Sequence, residues 1–213
     1  YGQYLLDDVA AGRVAARLYV FLNAWRLAAA EREQLLRATR GAARLWCYAP
    51  GYFEDNRVSA AGMQSLTGFA LKKVATATAR VTPTASGRRQ GLSLPLGPDK
   101  PIQPLLAAAD ATPEETLATY PDGSAAVALR QTADGLSLFV GPPGLTAELL
   151  SLAARRAKVH LYTETDCNVY ANGPFIALHA AQDGPITLRL RQPGRLTDLL
   201  TGNPVGNGSA LTM

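Results

Sequence analysis

Two apolar runs, Leu18-Tyr-Val-Phe-Leu22 and Ala43-Arg-Leu-Trp-Cys-Tyr48, bracket a segment from Leu27 to Arg40 whose composition is helical, with Leu27, Ala30, Gln34, Leu35 and Ala38 on or near one face. Asn23 ends the first run and Gly41 stops the helix. Continuous apolar runs of this kind read as buried strands, and strand alternating with helix is the mark of a parallel sheet covered by helices. Ahead of them, Gln3 to Leu6 reads as a short strand that Asp7-Asp8 and Gly12 break.

The alternation continues past Ala49-Pro-Gly51, which breaks the chain sharply. Ser59 is placed to cap a short helix through Met63 and Leu66 that Gly68 closes. Six prolines between Pro83 and Pro113 divide residues 80–124 into short apolar pieces, read as loops and small edge strands. Ala125 to Leu129 and Leu136 to Val140 form two strands joined by a turn at Asp134-Gly135. Gly141-Pro-Pro-Gly144 then leads to a helix from Thr146. Glu148 in its first turn and Arg155 and Arg156 in its last suit the helix dipole, and Leu145, Leu149 and Leu152 form its apolar stripe.

After Lys158 the period changes from helical to two. Short strands are expected at 159–162, 168–170, 175–178, 186–190 and 196–200, with turns at Asn172-Gly173, Asp183-Gly184 and Pro193-Gly194. The expected organisation is an α/β domain over 1–157 and a small antiparallel half-sandwich over 158–213. The last three residues, Leu211 to Met213, look like a strand cut short.

Composition narrows the function classes. Lys and Arg total 21 against 17 Asp and Glu, a net charge of +4 carried by scattered arginines rather than a run, so nucleic-acid binding is not expected. Cys47 and Cys167 lie far apart with no metal-ligand spacing, so neither a metal nor a cofactor site is expected. No stretch approaches the roughly 20 apolar residues of a membrane helix, and no secretory signal pattern opens the chain.

The runs Tyr4-Leu-Leu-Asp-Asp-Val9, Leu18 to Ala24, Leu45-Trp-Cys-Tyr-Ala-Pro-Gly51 and Leu66-Thr-Gly68 resemble the central domain of bacterial family-42 β-galactosidases. The segments Val159 to Asp166, Tyr170-Ala-Asn172, Ala177-Leu-His-Ala180 and Asp198-Leu-Leu-Thr-Gly202 resemble the β-rich region that follows it. The resemblance implies a flavodoxin-like fold related to class I glutamine amidotransferases and used for trimerisation. It also implies a bacterial protein, cytoplasmic or periplasmic, in which an upstream barrel of the same polypeptide hydrolyses the sugar. A (β/α)₈ barrel needs about 200 residues or more and does not fit beside the β tail. Against the family pattern, the chain reads as entering at the second strand, so an N-terminal strand is expected to be missing and the tail truncated.

Related amidotransferases place a nucleophilic Cys on the elbow after the strand, with Gly two residues later. Ala49 stands there in this chain, so no catalytic residue is expected. Cys47 lies two residues earlier, where alternation buries it, and a thiol without a base stays inert. The enzyme alternative is Cys47 activated by His160. His179 reads as a packed strand residue, and Glu54-Asp55, Glu114-Glu115 and Asp7-Asp8 as solvated or poorly convergent carboxylates. Glu164 and Asp166 share a face at two-residue spacing, which suits a solvated turn, a cation or sugar hydroxyls. Any small ligand is expected at the carboxyl ends of the parallel strands, lined by Asn23, Ala49, Gly51 and Gly141. Trp25, Tyr48 and Tyr52 are expected as exposed interface residues of a homo-oligomer, and a carbohydrate-binding β tail is a third possibility.

Overall fold

The computed structural model describes residues 1–213. They divide into two compact units, Tyr1–Val159 and His160–Met213. In the first unit α1 (Leu6–Ala10) precedes β1 (Leu18–Phe21), α2 (Ala29–Ala38) and β2 (Ala43–Cys47). A small hairpin, β3 (Phe53–Glu54) and β4 (Arg57–Val58), leads to α3 (Ala60–Thr67) and β5 (Leu71–Val74). Then come β6 (Thr82–Pro83), α4 (Ala85–Arg89), β7 (Leu105–Ala108), β8 (Thr116–Thr119), β9 (Ala125–Thr132), β10 (Gly135–Val140) and α5 (Ala147–Arg156).

Six of these strands form one mixed sheet in the order β1-β2-β10-β9-β8-β6. β1, β2 and β10 are parallel, whereas β9, β8 and β6 run antiparallel to their neighbours. The parallel sheet expected from the sequence is therefore realised in three strands only. The Asp134-Gly135 hairpin turns the chain back so that β9 and β10 pair antiparallel. β1 is hydrogen-bonded directly to β2, Leu18 opposite Ala43 and Phe21 opposite Trp46, with no strand between them. A doubly wound 2-1-3-4-5 order would instead place the first strand inside the second.

The crossovers β1 to β2 and β2 to β10 step across the sheet in the same direction, and right-handed connections then put their helices on one face. On that face Tyr19, Phe21 and Trp46 pack with Leu35 of α2 and Leu66 of α3, while Ala128 and Phe139 pack with Met63 of α3 and Phe69. Phe21 stacks on Trp46 with ring centroids 4.4 Å apart. The opposite face brings Leu45, Cys47, Leu138 and Val140 against Leu149, Leu152 and Ala153 of α5. Each fully buried Leu or Phe contributes about 1.5–3 kcal/mol, so this three-layer packing carries the unit.

Local chemistry fixes the helix ends. Ser59 Oγ accepts from the Gly62 amide at 2.9 Å and Gly68 closes α3 at φ +74°. Thr146 caps α5, and Glu31 Oε2 accepts from the Ala28 amide at 2.8 Å ahead of α2. The N-terminal strand expected at Gln3–Leu6 is absent. Asp7 and Asp8 open α1 instead, where carboxylates favour a helix N-terminus. Residues 80–124, read as loops and small edge strands, contain β7, all four of whose residues are buried, and β8, which joins the main sheet.

The second unit holds two hairpins, β11 (Cys167–Asn172) with β12 (Phe175–Ala180), and β13 (Thr187–Thr197) with β14 (Pro204–Thr212). They form two separate two-stranded sheets rather than one half-sandwich sheet. Residues 159–162, expected as a strand, are outside any strand. Pro193-Gly194, expected as a turn, lies inside β13 at a register shift against β14. The turn is Asp198–Gly202, where Asp198 Oδ1 and Oδ2 accept from the Leu200 amide and Thr201 Oγ1. Leu211 and Thr212 pair with Leu188 and Thr187 in this hairpin.

Candidate functional site at the carboxyl edge of the sheet

At the carboxyl ends of β1, β2 and β10 three loops are laced together by main-chain bonds. The Tyr48 amide donates to Val140 O at 2.7 Å, Gly51 to Ala24 O at 2.7 Å, Phe53 to Trp25 O at 2.8 Å and Gly141 to Ala126 O at 2.8 Å. The chain reverses through Tyr48 at φ +70°, a left-handed conformation costing an ordinary residue about 1–2 kcal/mol. The strained elbow residue is thus Tyr48, one position before the Ala49 that the sequence pointed to.

The four expected crevice residues do not line an open cleft. Asn23 is exposed, while Ala49, Gly51 and Gly141 are buried. Gly51, at φ +66°, has no room for a side chain: a Cβ would lie 2.7 Å from Leu66 Cδ1 and 3.1 Å from Gly62 O. The space beside Gly141 is taken by Leu106 O and the Tyr120 hydroxyl, which itself donates to Leu106 O at 3.1 Å. At both Gly51 and Gly141 the place of a side chain is taken by neighbouring protein atoms.

Of the three aromatics expected to be exposed, Trp25 is, at 45%. Tyr48 is half-buried and meets Trp25 edge to face at 5.8 Å. Tyr52 is buried at 8%, because Met63, Phe69 and Phe139 enclose it, and Lys73 Nζ sits 5.4 Å from its ring centre. Burial pushes the Tyr48 phenol up, and neighbouring Tyr52 adds to the effect. Sequence inspection missed other exposed apolar side chains, namely Val20 and Leu22 at the sheet edge and Phe53 and Val58 on the small hairpin. The signal was available in principle, since an apolar run placed at a sheet edge exposes alternate residues.

Cys47 is 5% exposed and packs between Leu45, Val140 and Leu149. Burial pushes its thiol up, against a smaller lowering from the hydrogen bond of the Gly144 backbone. The first unit contains no histidine. In the second unit His160 Nε2 is 3.0 Å from Arg189 O and its ring meets Tyr162 edge to face at 4.7 Å. Exposed His179 stands opposite Asn168 across the β11–β12 pair, beside a hollow of about 120 Å³ shared with Asp166 and Cys167.

The carboxylate pairs are tied to arginines. Glu54 Oε1 takes Arg32 Nη2 at 3.2 Å and its other oxygen accepts from Ser59 Oγ at 2.8 Å; these bonds, Arg32 first, hold its carboxyl below the ordinary value. Arg130 donates to both oxygens of Glu115, at 2.6 and 2.8 Å, and brings Glu115 down to about 2. Asp8 pairs with Arg13 at 2.8 Å and Glu164 with Arg189 at 3.5 Å. Glu54 and Glu115, both lowered by their arginines, are the opposite of the raised carboxyl that suits a general acid. No three His, Cys, Asp or Glu side chains converge as a metal site would require.

No protein-family model and no curated protein matches this sequence. Solved structures do match the fold. A β-galactosidase from Bacillus circulans sp. alkalophilus superposes with a TM-score of 0.58 at 14% identity, over 92% of this chain and 32% of that one. The cold-adapted β-galactosidase from Rahnella sp. R3 gives 0.59 at 17% identity, over 92% and 32%. Gan42B, a GH42 β-galactosidase from G. stearothermophilus, gives 0.56 at 15%, in its E323A variant, over 92% and 31%. The chain spans about a third of the length of these neighbours. It has the fold of that third of a GH42 β-galactosidase.

Proposed function

We propose that this chain is a non-catalytic assembly and support domain of a β-galactosidase-like glycoside hydrolase acting in carbohydrate breakdown. The observation that carries the proposal is the elbow after β2. It presents Tyr48 and Ala49 instead of a nucleophile, the only nearby thiol is buried and held protonated, and the unit holds no histidine. The match to a third of several GH42 β-galactosidases supports the same reading. A flavodoxin-like, amidotransferase-related ancestry and a trimerisation role belong to this proposal. So does an upstream catalytic barrel as partner.

Assembly is assigned to the free edge strand β1 and the apolar side chains beside its carboxyl end, with Trp25 at the centre. Apart from its short length, edge strand β1 lacks the usual protections against pairing, having no Lys or Pro, with Val20 exposed on it and Leu22 exposed just after it. The competing reading, an amidotransferase-like hydrolase using Cys47 and His160, makes an opposite prediction for thiol chemistry. Iodoacetamide at pH 7.5 is expected to leave Cys47 unmodified in the folded chain while labelling it in urea. Rapid labelling of folded Cys47, together with turnover of glutamine or an aryl galactoside that Cys47→Ala abolishes, overturns the proposal. The carbohydrate-binding alternative draws on exposed Tyr170 and Phe175 in the β11–β12 hairpin, and calorimetric titration with galactosides tests it.

A further inference from the structure

The amino end of the same sheet is built differently. Where β2 and β10 begin, a depression of about 510 Å³ opens between Arg17, Arg40, Arg156 and Lys158. Small residues, Gly41, Ala43 and Gly135 among them, also line it. The four cations come from three separate stretches of chain: the approach to β1, the residues after α2, and the end of α5.

Neighbours hold the arginines at the rim. Arg17 Nη1 donates to Lys158 O at 2.8 Å, Arg40 Nε lies 3.3 Å from Asp134 Oδ1, and Arg156 Nη2 donates to Gln90 Oε1 at 2.6 Å. Lys158 follows α5 in a left-handed conformation, φ +54°, at a position where Gly is usual. A lysine there costs about 1 kcal/mol relative to Gly.

Helix ends explain part of this charge. α2 and α5 both terminate at the depression, and each C-terminus carries about half a negative charge, which cations nearby offset. Asp134 supplies one full negative charge. Against about two negative charges in all stand four cations, leaving an excess of about two positive charges around an open hollow. Arg44, 3% exposed and donating by Nη2 to Asp134 O at 3.0 Å, adds a further charge next to Ala43.

We propose that this depression is a binding site for a small dianion of the phosphate class, either free phosphate or the phosphate group of a monoester. With Arg44 counted the excess is about three positive charges, enough to neutralise a dianion, and arginine forks suit its tetrahedral oxygens. Exposure to solvent sets the affinity low, with a dissociation constant on the order of 1 mM for phosphate alone.

The test is calorimetric or NMR titration of the full chain with sodium phosphate at constant ionic strength, with sodium chloride and acetate as controls. Saturable binding of phosphate, displaced by sulfate but not by acetate, is expected. The double variant Arg40→Gln/Arg156→Gln should weaken it about tenfold or more. Lys158→Gly should also weaken binding while leaving the melting temperature unchanged or higher, which separates the charge from folding. Tighter binding of glucose 6-phosphate than of phosphate identifies an ester as the ligand, and equal binding identifies the free ion. The proposal is overturned if phosphate acts only as chloride does, if the variants bind as the native chain does, or if polyglutamate binds and phosphate does not.

Discussion

Glu115→Gln should cost about 2 kcal/mol of stability at pH 7, and that cost should disappear in acid. Arg130 holds Glu115 through two hydrogen bonds of 2.6 and 2.8 Å, donates to Gly68 O and Asp110, and lies 4.2 Å over the buried Phe69 ring. One guanidinium thereby joins β9 to the end of α3 and to the β7–β8 connection. Arg130 first, burial opposing it, brings the Glu115 carboxyl from 4.5 down to about 2. Converted directly, that displacement bounds the contribution at about 3 kcal/mol. With 22% of the side chain exposed, solvent screening reduces it to about 2 kcal/mol. The carboxyl is depressed in the folded state, so the stabilisation is complete above the unfolded value and is lost as pH falls through the folded one. The window therefore runs from about pH 5 to about pH 2, with roughly half the effect left near pH 3. Urea unfolding of the native chain and Glu115→Gln at pH 7, 5, 4 and 3 measures it. A difference that stays constant with pH, or one below about 0.5 kcal/mol at pH 7, refutes the reasoning.

Two further substitutions probe the elbow. Gly51→Ala should destabilise the chain by about 2–3 kcal/mol in urea unfolding, since the added methyl meets Leu66 and Gly62 O at a backbone angle that disfavours it. Tyr48→Gly should change stability by less than about 1 kcal/mol, because relief of the left-handed φ offsets the lost edge contact with Trp25. A loss above about 3 kcal/mol would show that the Tyr48 ring, not the backbone, dominates.

The parts of the fold legible in the sequence were those written locally. Ser59 and Gly68 bound α3 because a hydroxyl acceptor and a left-handed residue are what its two ends need. The Leu149 and Leu152 stripe located α5, and Asp134-Gly135 the β9–β10 hairpin. What escaped depends on distant pairing. β6 meets β8 across more than thirty residues, and four residues such as Leu105–Ala108 carry no period that distinguishes a buried strand from a loop. Pro193-Gly194 carries the composition of a turn, yet its strand continues through a bulge. At the carboxyl edge the alternation that buries Cys47 was readable, whereas the burial of Tyr52 came from side chains contributed by α3 and β10. The basic depression was invisible because Arg17, Arg40, Arg156 and Lys158 are scattered in sequence and converge only in the fold.

Light scattering coupled to gel filtration tests the central claim most directly. The chain, 22.5 kDa per copy, should elute with a mass that is a multiple of that value, and Trp25→Ala combined with Val20→Asp should return it to a monomer with unchanged circular dichroism. A native chain that remains monomeric at 100 µM, or an oligomer indifferent to both substitutions, would contradict the assembly role.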